Sequence, residues 1–383
     1  MGVTQRSENA NVDTSSDYLV DKGRIFVRYV DMWNNVDAII DAGMARDPDE
    51  DEGFYSQEQN MLYESYEGLV KLIPRLPEEL LVADLAKTKE MAKSVRYHIL
   101  HIQGLTLNLY LKIEKGRKNA RSNDISNFKA DIGAWRTFEP SYNNSMRHTM
   151  GFRNETCGHL LCPASLDWTD ENVRRGLRDG ALSAGPEDLP HFLWRRESIS
   201  QANPYEGFLR NDLLVKGYLY VFRGPSVASS GGQEDTSRRR GNATLHNIKR
   251  VSLPSIAYVA VLIRFTLSSQ PTFSAGGTSG RWAHRKFYQQ ILALTGAMQS
   301  GDVKDLLGWW DNQIFSDILT EDDEDDEEMD TSQPPTFARL MKQHAITTAS
   351  TSTLRPRPQP HQPQQQAPIL LDGSITTTEG SAG

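Results

Sequence analysis

The chain has 383 residues, with 42 Lys+Arg against 50 Asp+Glu, a formal net charge of −8, 38% apolar residues and a mean hydropathy of −0.54. So little apolar material over this length predicts one large or two ordinary domains with unpacked tail beside them. Two cysteines exclude a disulfide scaffold, and the longest apolar run, Ile256 to Ile263, is far short of the ~20 residues of a membrane span. Residues 321–330, EDDEDDEEMD, carry nine of the acids and no base, which leaves the rest at +1 and argues against a strongly basic nucleic-acid binder. Residues 1–16 show no basic-then-apolar leader. The expectation is an intracellular protein, nuclear or cytoplasmic, neither secreted nor membrane-bound.

Residues 1–16 are small and polar and read as disordered. Phe26, Tyr29, Val30, Trp33, Val36 and Ile40 then fall on one helical stripe, with Gly43 placed to end it. After the acidic stretch 47–53, Ser56 with Gln59 predicts a capping box opening a helix that Pro74 halts. A longer helix is expected from about Pro77 to about Lys115, its end rich in cations (Lys112, Lys115, Arg117, Lys118) that suit the negative end of the helix dipole. Its His98 and His101 share a face with no acid or cysteine nearby in sequence and read as ordinary histidines.

From about Met146 short helices alternate with Gly- and Pro-marked turns. Thr169 is the expected cap of a helix ended by Gly180, Gly207–Phe222 reads as another helix, and 225–243 as a mobile loop. The stretch 252–269, SLPSIAYVAVLIRFTLSS, is apolar all round, too long for an ordinary strand, and opens on Ser252 and Pro254; it predicts a buried central helix. Helices at 281–298 and 302–315 close the body, and 331–383 is a Ser/Thr/Pro/Gln-rich tail that cannot offset its ordering entropy. The fold class is therefore mainly α. Its parts are a disordered 1–16, an N-terminal helical region at 17–135, a helical core domain at 136–318, and a disordered tail at 319–383.

Common catalytic and nucleotide-binding motifs are absent: no HExxH, no phosphate-binding Gly-rich loop before Lys-Ser/Thr, and no G-x-S-x-G elbow, since GPSVA at 224–228 lacks the last glycine. The nearest approach to a metal set is His148, Cys157, His159 and Cys162, whose N and S atoms suit tetrahedral zinc, although the spacing matches no common zinc pattern. Packing is the preferred reading, so no metal and no cofactor are expected. Arg264, inside the apolar helix, needs a carboxylate or carbonyl partner, or else a phosphate or carboxylate ligand. Trp309 and Trp310 point about 100° apart on a helix, so one packs inward while the other lies near the surface; with Trp282 and Phe315 they are also candidates for an aromatic platform. Arg238, Arg239 and Arg240 form a basic loop, and the 321–330 acids suit either a solvated spacer or a basic partner.

Five segments taken together are GFRNETCGHLLCPASLDWTDENVRRGLRDG (151–180), GFLRNDLLVKGYLYVFRGPSV (207–227), GNATLHNIKRVSLPSIAYVAVLIRFTLSS (241–269), FYQQIL (287–292) and LLGWWDNQIF (306–315). They resemble a lineage-expanded domain family of unknown function from mushroom-forming fungi, over about residues 120–318. This sequence departs from the family's pattern where His159 stands for Arg, Gly224 for Ser, and Val261-Leu262 for Thr-Gln. The resemblance implies a fold unit, a fungal origin and proximity to mobile-element genes, with no catalytic residues to carry over. The resulting expectation is a non-enzymatic protein-interaction or scaffold module with a protein partner. One alternative is a nucleic-acid-associated protein using the cations at 112–121 and 238–240; the other is an enzyme with an unfamiliar site near Arg264 and the 148–162 turn.

Overall fold

A computed structural model of the chain describes residues 14–47, 49–80, 98–200, 202–230, 241–276 and 282–316. Among them the fold is mainly α, with no β-strand and two isolated bridges, Pro163 with Pro190 and Trp194 with Phe208. The N-terminal helices are α1 (Thr14–Tyr29), α2 (Val36–Ala45), α3 (Gln57–Leu72) and the long α4 (His98–Trp135). Then come α5 (Glu155–Leu161), α6 (Glu171–Asp179), α7 (Asp212–Phe222), α8 (Pro225–Ser230) and α9 (Asn242–Leu245). The chain continues through α10 (Leu253–Leu267), α11 (His284–Ala297) and α12 (Ser300–Phe315).

Helix α10 is the axis of the core. Ser252 and Ser255 exchange side-chain-to-backbone bonds in a capping box, and Pro254 occupies the first turn, where its missing N–H costs nothing. Every residue from Ser255 to Leu267 is buried, each large apolar side chain stabilising the fold by roughly 1.5–3 kcal/mol. Carbonyls that the helix leaves over at its C-terminus go to Arg147, whose guanidinium donates to Phe265 O (2.8 Å) and Thr266 O (2.5 Å). One apolar core runs from Ile25 on α1 to Phe315 on α12 and so crosses the 135/136 boundary drawn from sequence.

Helices α1 and α4 pack unusually close, because Gly23 faces the Ile113 carbonyl and Gly116 faces the Val20 carbonyl, with no room for a Cβ at either. That approach lets Arg28 on α1 reach Asp124 on α4 in a bidentate pair (2.8 Å on both arms), while Tyr258 of α10 donates to the same carboxylate at 2.7 Å. Three helices are thus tied at one buried point.

Several expected boundaries move, each for a local reason. The stripe from Phe26 to Ile40 is two helices, because the Asp31 carboxylate accepts the N–H groups of Trp33 (2.7 Å) and Asn34 (2.8 Å) and turns the chain. Gly43 does not end α2; it lies inside the helix against the Tyr66 ring. The long helix continues past Lys115 to Trp135, since Ala120, Ile125, Phe128 and Ile132 extend its buried face. The cations at 112–118 are therefore mid-helix, and the dipole argument does not apply to them. Asp170, not Thr169, caps α6, while Gly180 does end it in the left-handed region at φ 79°. Helix α7 starts at Asp212 because Gly207 (φ 74°) and Leu209 (φ 55°) cannot be helical, and Asn211 supplies the cap. Residues 225–230 are the helix α8 and not loop. Ser56 and Gln59 do form the expected capping box. Of the end expected to be disordered, residues 14–16 open α1 and 1–13 lie outside the described residues, as do 231–240 and everything from 317 onward, the 321–330 acids and the tail included.

Candidate functional site

Helices α2 and α3 and the loop between them present the most one-sided surface among the described residues. From Asp37 to Glu67 the sequence holds ten carboxylates and a single base, Arg46, and all ten acids are exposed. Arg46 is occupied locally: it lies over the Tyr55 and Tyr63 rings (3.9 and 4.7 Å) and donates to Asn60 Oδ1 at 2.6 Å. Phe54, 71% exposed, and Met61, 37% exposed, stand among these acids. Partial burial, and then the charges of Glu52 and Glu67, raise the Glu64 carboxyl above its ordinary range. Beside this face is a cavity of about 180 Å³, lined by Tyr29, Asp31, Trp33, Glu64 and Tyr288 among others. Its floor is held by Asp31, which also accepts from Ser65 Oγ at 2.9 Å.

A second concavity, of about 310 Å³, is apolar and aromatic, with Trp194, Ile199, Tyr205, Phe208 and Leu294 on its walls and Asp188 at its edge. The loop that frames it is pinned by Glu197, itself in the left-handed region at φ 53°. Arg136 grips Glu197 with both Nη atoms, and the His159 Nε2 lies 3.0 Å from Glu197 Oε2. Burial pushes the Glu197 carboxyl up, but hydrogen bonds from His159 and Arg136 outweigh it and hold the group down at about 2. The buried His191 ring stacks obliquely 5.3 Å from that of His159. A histidine held by a carboxylate is half of an acid–base pair. Among the described residues the side-chain partner of His159 is Glu197, and with Arg136 it fastens this loop.

The residues singled out from sequence do not converge. Cys157 and Cys162 are buried, and burial pushes both thiols up to about 12, which keeps them protonated. Cys162 Sγ faces the Pro163 and Leu166 carbonyls, His159 turns to Glu197, and His148 is exposed. Among the described residues no three His, Cys, Asp or Glu side chains are grouped as they would be around a metal ion. Arg264 is 6% exposed and, among the described residues, meets neither the expected carboxylate nor a carbonyl; its guanidinium lies 4.1 Å from the centre of the Trp282 ring. Ile263 and Phe265 flank it on α10, and no carboxylate among the described residues acts on its charge, which burial alone lowers. Trp310 is buried and donates to Leu209 O at 3.0 Å while Trp309 is partly exposed, their rings perpendicular. Trp282 belongs with Arg264, so the four aromatics do not make one platform.

In the basic run, Arg117 is buried against Glu114 and near Asp31, and Arg121 donates to Met32 O at 2.8 Å, so two of its cations face inward. Arg238, Arg239 and Arg240, and the side chains of His98 and His101, lie outside the described residues. Sequence reasoning passed over Asp31, Asn211, Arg136 and Glu197. The first two carried a legible signal, an Asx residue between helical runs. A left-handed glutamate carries none.

Residues 115–315, more than half the chain, match a family of unknown function, DUF6698, and the protein belongs to that family. The matched stretch opens inside α4 and closes on the last residue of α12, so it takes in α10 and the apolar groove but not the acidic face of α2 and α3. No curated protein and no solved structure matches the chain. Among the described residues no helix is long and apolar enough to cross a membrane.

Proposed function

We propose that this protein is a non-enzymatic interaction module whose acidic α2–α3 face docks a basic polypeptide. One observation carries the reading: ten exposed carboxylates against one base over residues 37–67, with Phe54 and Met61 exposed in their midst. A field of one sign steers an oppositely charged partner and sets its on-rate, while scattered apolar side chains hold it after desolvation. The adjoining cavity offers aromatic walls and the Glu64 carboxylate, which suit the stem and head of a Lys or Arg side chain. The same field repels nucleic acid, and inward-facing Arg117 and Arg121 reduce what the 112–121 run can offer phosphate. A nucleic-acid role would rest on Lys112, Lys115 and Lys118, which keep their exposure in whole or in part, and on Arg238, Arg239 and Arg240.

The test uses the full chain with its 321–330 acids replaced by Asn and Gln, so that only the α2–α3 face is read. Its expected behaviour is to bind a Lys/Arg-rich peptide at low salt, more weakly as salt rises, and to ignore duplex DNA. Reversing Glu58, Glu64 and Glu67 to Lys is expected to weaken the peptide at least tenfold; equal binding by both chains, or tighter binding of DNA, sinks the reading. The finer parts of the proposal are that the chain is fungal, from a lineage-expanded set, and works in the nucleus or cytoplasm. Fractionation of the native cell tests the location.

A further inference from the structure

Near the C-terminal end of α10 two buried nitrogen groups lack partners. Arg264 Nη1 makes no hydrogen bond although the residue is only 6% exposed, and no Asp or Glu among the described residues acts on its charge. The stretch 270–283, which supplies Phe273, Ser274 and Trp282 to this place, contains no Asp or Glu at all. His284 is fully buried beside it. Its Nδ1 lies 3.0 Å from Ser274 O, which requires the proton on that nitrogen and leaves Nε2 as a lone-pair acceptor. Nothing bonds to Nε2. Both groups lie against Trp282, the guanidinium over its face at 4.1 Å and the imidazole edge-on at 5.1 Å. Phe265 and Phe273 close the surroundings of His284, at 5.6 and 4.9 Å. Burial and the neighbouring Arg264 charge push the imidazole down to about 3, so it does not compete as a second cation.

A buried ion with no counter-charge is expensive, and natural interiors pair such groups or use them. The internal partner that most buried arginines have is missing here, whereas Arg28, on the same core, has one. A bound group that completes this place must bring negative charge to Arg264 and an O–H to the His284 lone pair. We infer that Arg264 and His284 form a binding site for an oxyanion that keeps a hydroxyl, either a monoprotonated phosphate group or a 2-hydroxy carboxylate, with Trp282 as the plate on which the guanidinium is held. The stacked, planar guanidinium is suited to this: its fork matches such oxygens and its orientation is fixed in advance.

The inference is independent of the acidic face, and its failure leaves that proposal standing. The experiment follows thermal unfolding of the full chain at constant ionic strength with inorganic phosphate, glycolate or sulfate. Phosphate and glycolate, each carrying an O–H, are expected to raise Tm saturably, as ligands that bind only the folded state do. Sulfate, which has the charge without the O–H, is expected to give only the small, non-saturating rise common to excluded salts. In Arg264→Met the saturable response is expected to vanish, and in Arg264→Lys to need roughly tenfold more ligand, because a bidentate fork becomes a point charge. Where Arg264→Met does not fold, the lysine variant carries the test. An unshifted wild-type Tm, a sulfate response equal to that of phosphate, or an unchanged phosphate response in either variant overturns the inference.

Discussion

Two buried arginines in this protein meet opposite surroundings, Arg28 beside Tyr258 of α10 and Arg264 less than two turns further along the same helix. Around Tyr258, the Arg28 guanidinium is bidentate to Asp124 and the same carboxylate takes the Tyr258 hydroxyl, so every charge has an answering group. Burial alone would pull Arg28 down, yet Asp124 overrides it and holds the charged form well above the ordinary range. Around Arg264 no carboxylate answers among the described residues; the guanidinium lies over the Trp282 ring beside buried His284, and burial brings it down to about 9. A stacked aromatic face answers a cation weakly compared with a hydrogen-bonded carboxylate. The same side chain therefore fastens the fold at one place and strains it at the other. The lesson is that burial of a charged residue is no measure of what it contributes; the partner decides the sign.

Removing the partner at the first place should make it resemble the second, and this is the largest expected effect. Asp124→Ala leaves Arg28 buried and unopposed and is expected to destabilise the protein by about 3–5 kcal/mol in urea unfolding. A loss below about 1 kcal/mol would mean that Arg28 escapes to water and that the two places never differed. Arg264→Met, in buffer free of phosphate and hydroxy acids, is expected to move stability the other way, upward by about 1 kcal/mol, because an unopposed charge is replaced by an apolar side chain of similar length. A marked loss there would show that Arg264 has a protein partner after all.

The smallest effect is a slope. His284 is held at about 3 in the folded protein against 6.5 when free, so the unfolded chain takes up its proton first as pH falls. Stability from this group is intact above about pH 6.5 and is lost progressively toward pH 3. His284→Phe is expected to flatten the stability profile across that window while leaving the region above pH 7 little changed. An unaltered profile would mean that the imidazole titrates freely, and that the Arg264 end of the helix is wetter than its burial indicates.

Much of the architecture is legible in the sequence. The apolar run 252–269 with Ser252 and Pro254 at its head predicted α10, and Ser56 with Gln59 predicted the start of α3, because capping and periodicity are interactions among residues a few positions apart. Adjacent Trp309 and Trp310 were bound to diverge for the same reason. The break at Asp31 was legible in principle but lost to the apolar stripe that continues across it. The end of α4 is not legible in the cations after Lys112, because Arg117 is there to meet Asp31, 86 residues earlier, and not to close a helix.

The candidate sites divide in the same way. Composition and order along the chain determined the class of fold, the family resemblance and the acidity of residues 37–67, since each is a property of neighbours in sequence or of a simple sum of charges. Only the tertiary structure decided that His159 serves Glu197 and Arg136, that the cysteines are sealed in as thiols, and that Arg264 has a ring for company where an acid was expected. Those outcomes depend on which groups from distant segments share one dry volume, and the energy of a buried charge is set by those neighbours rather than by its own place in the chain.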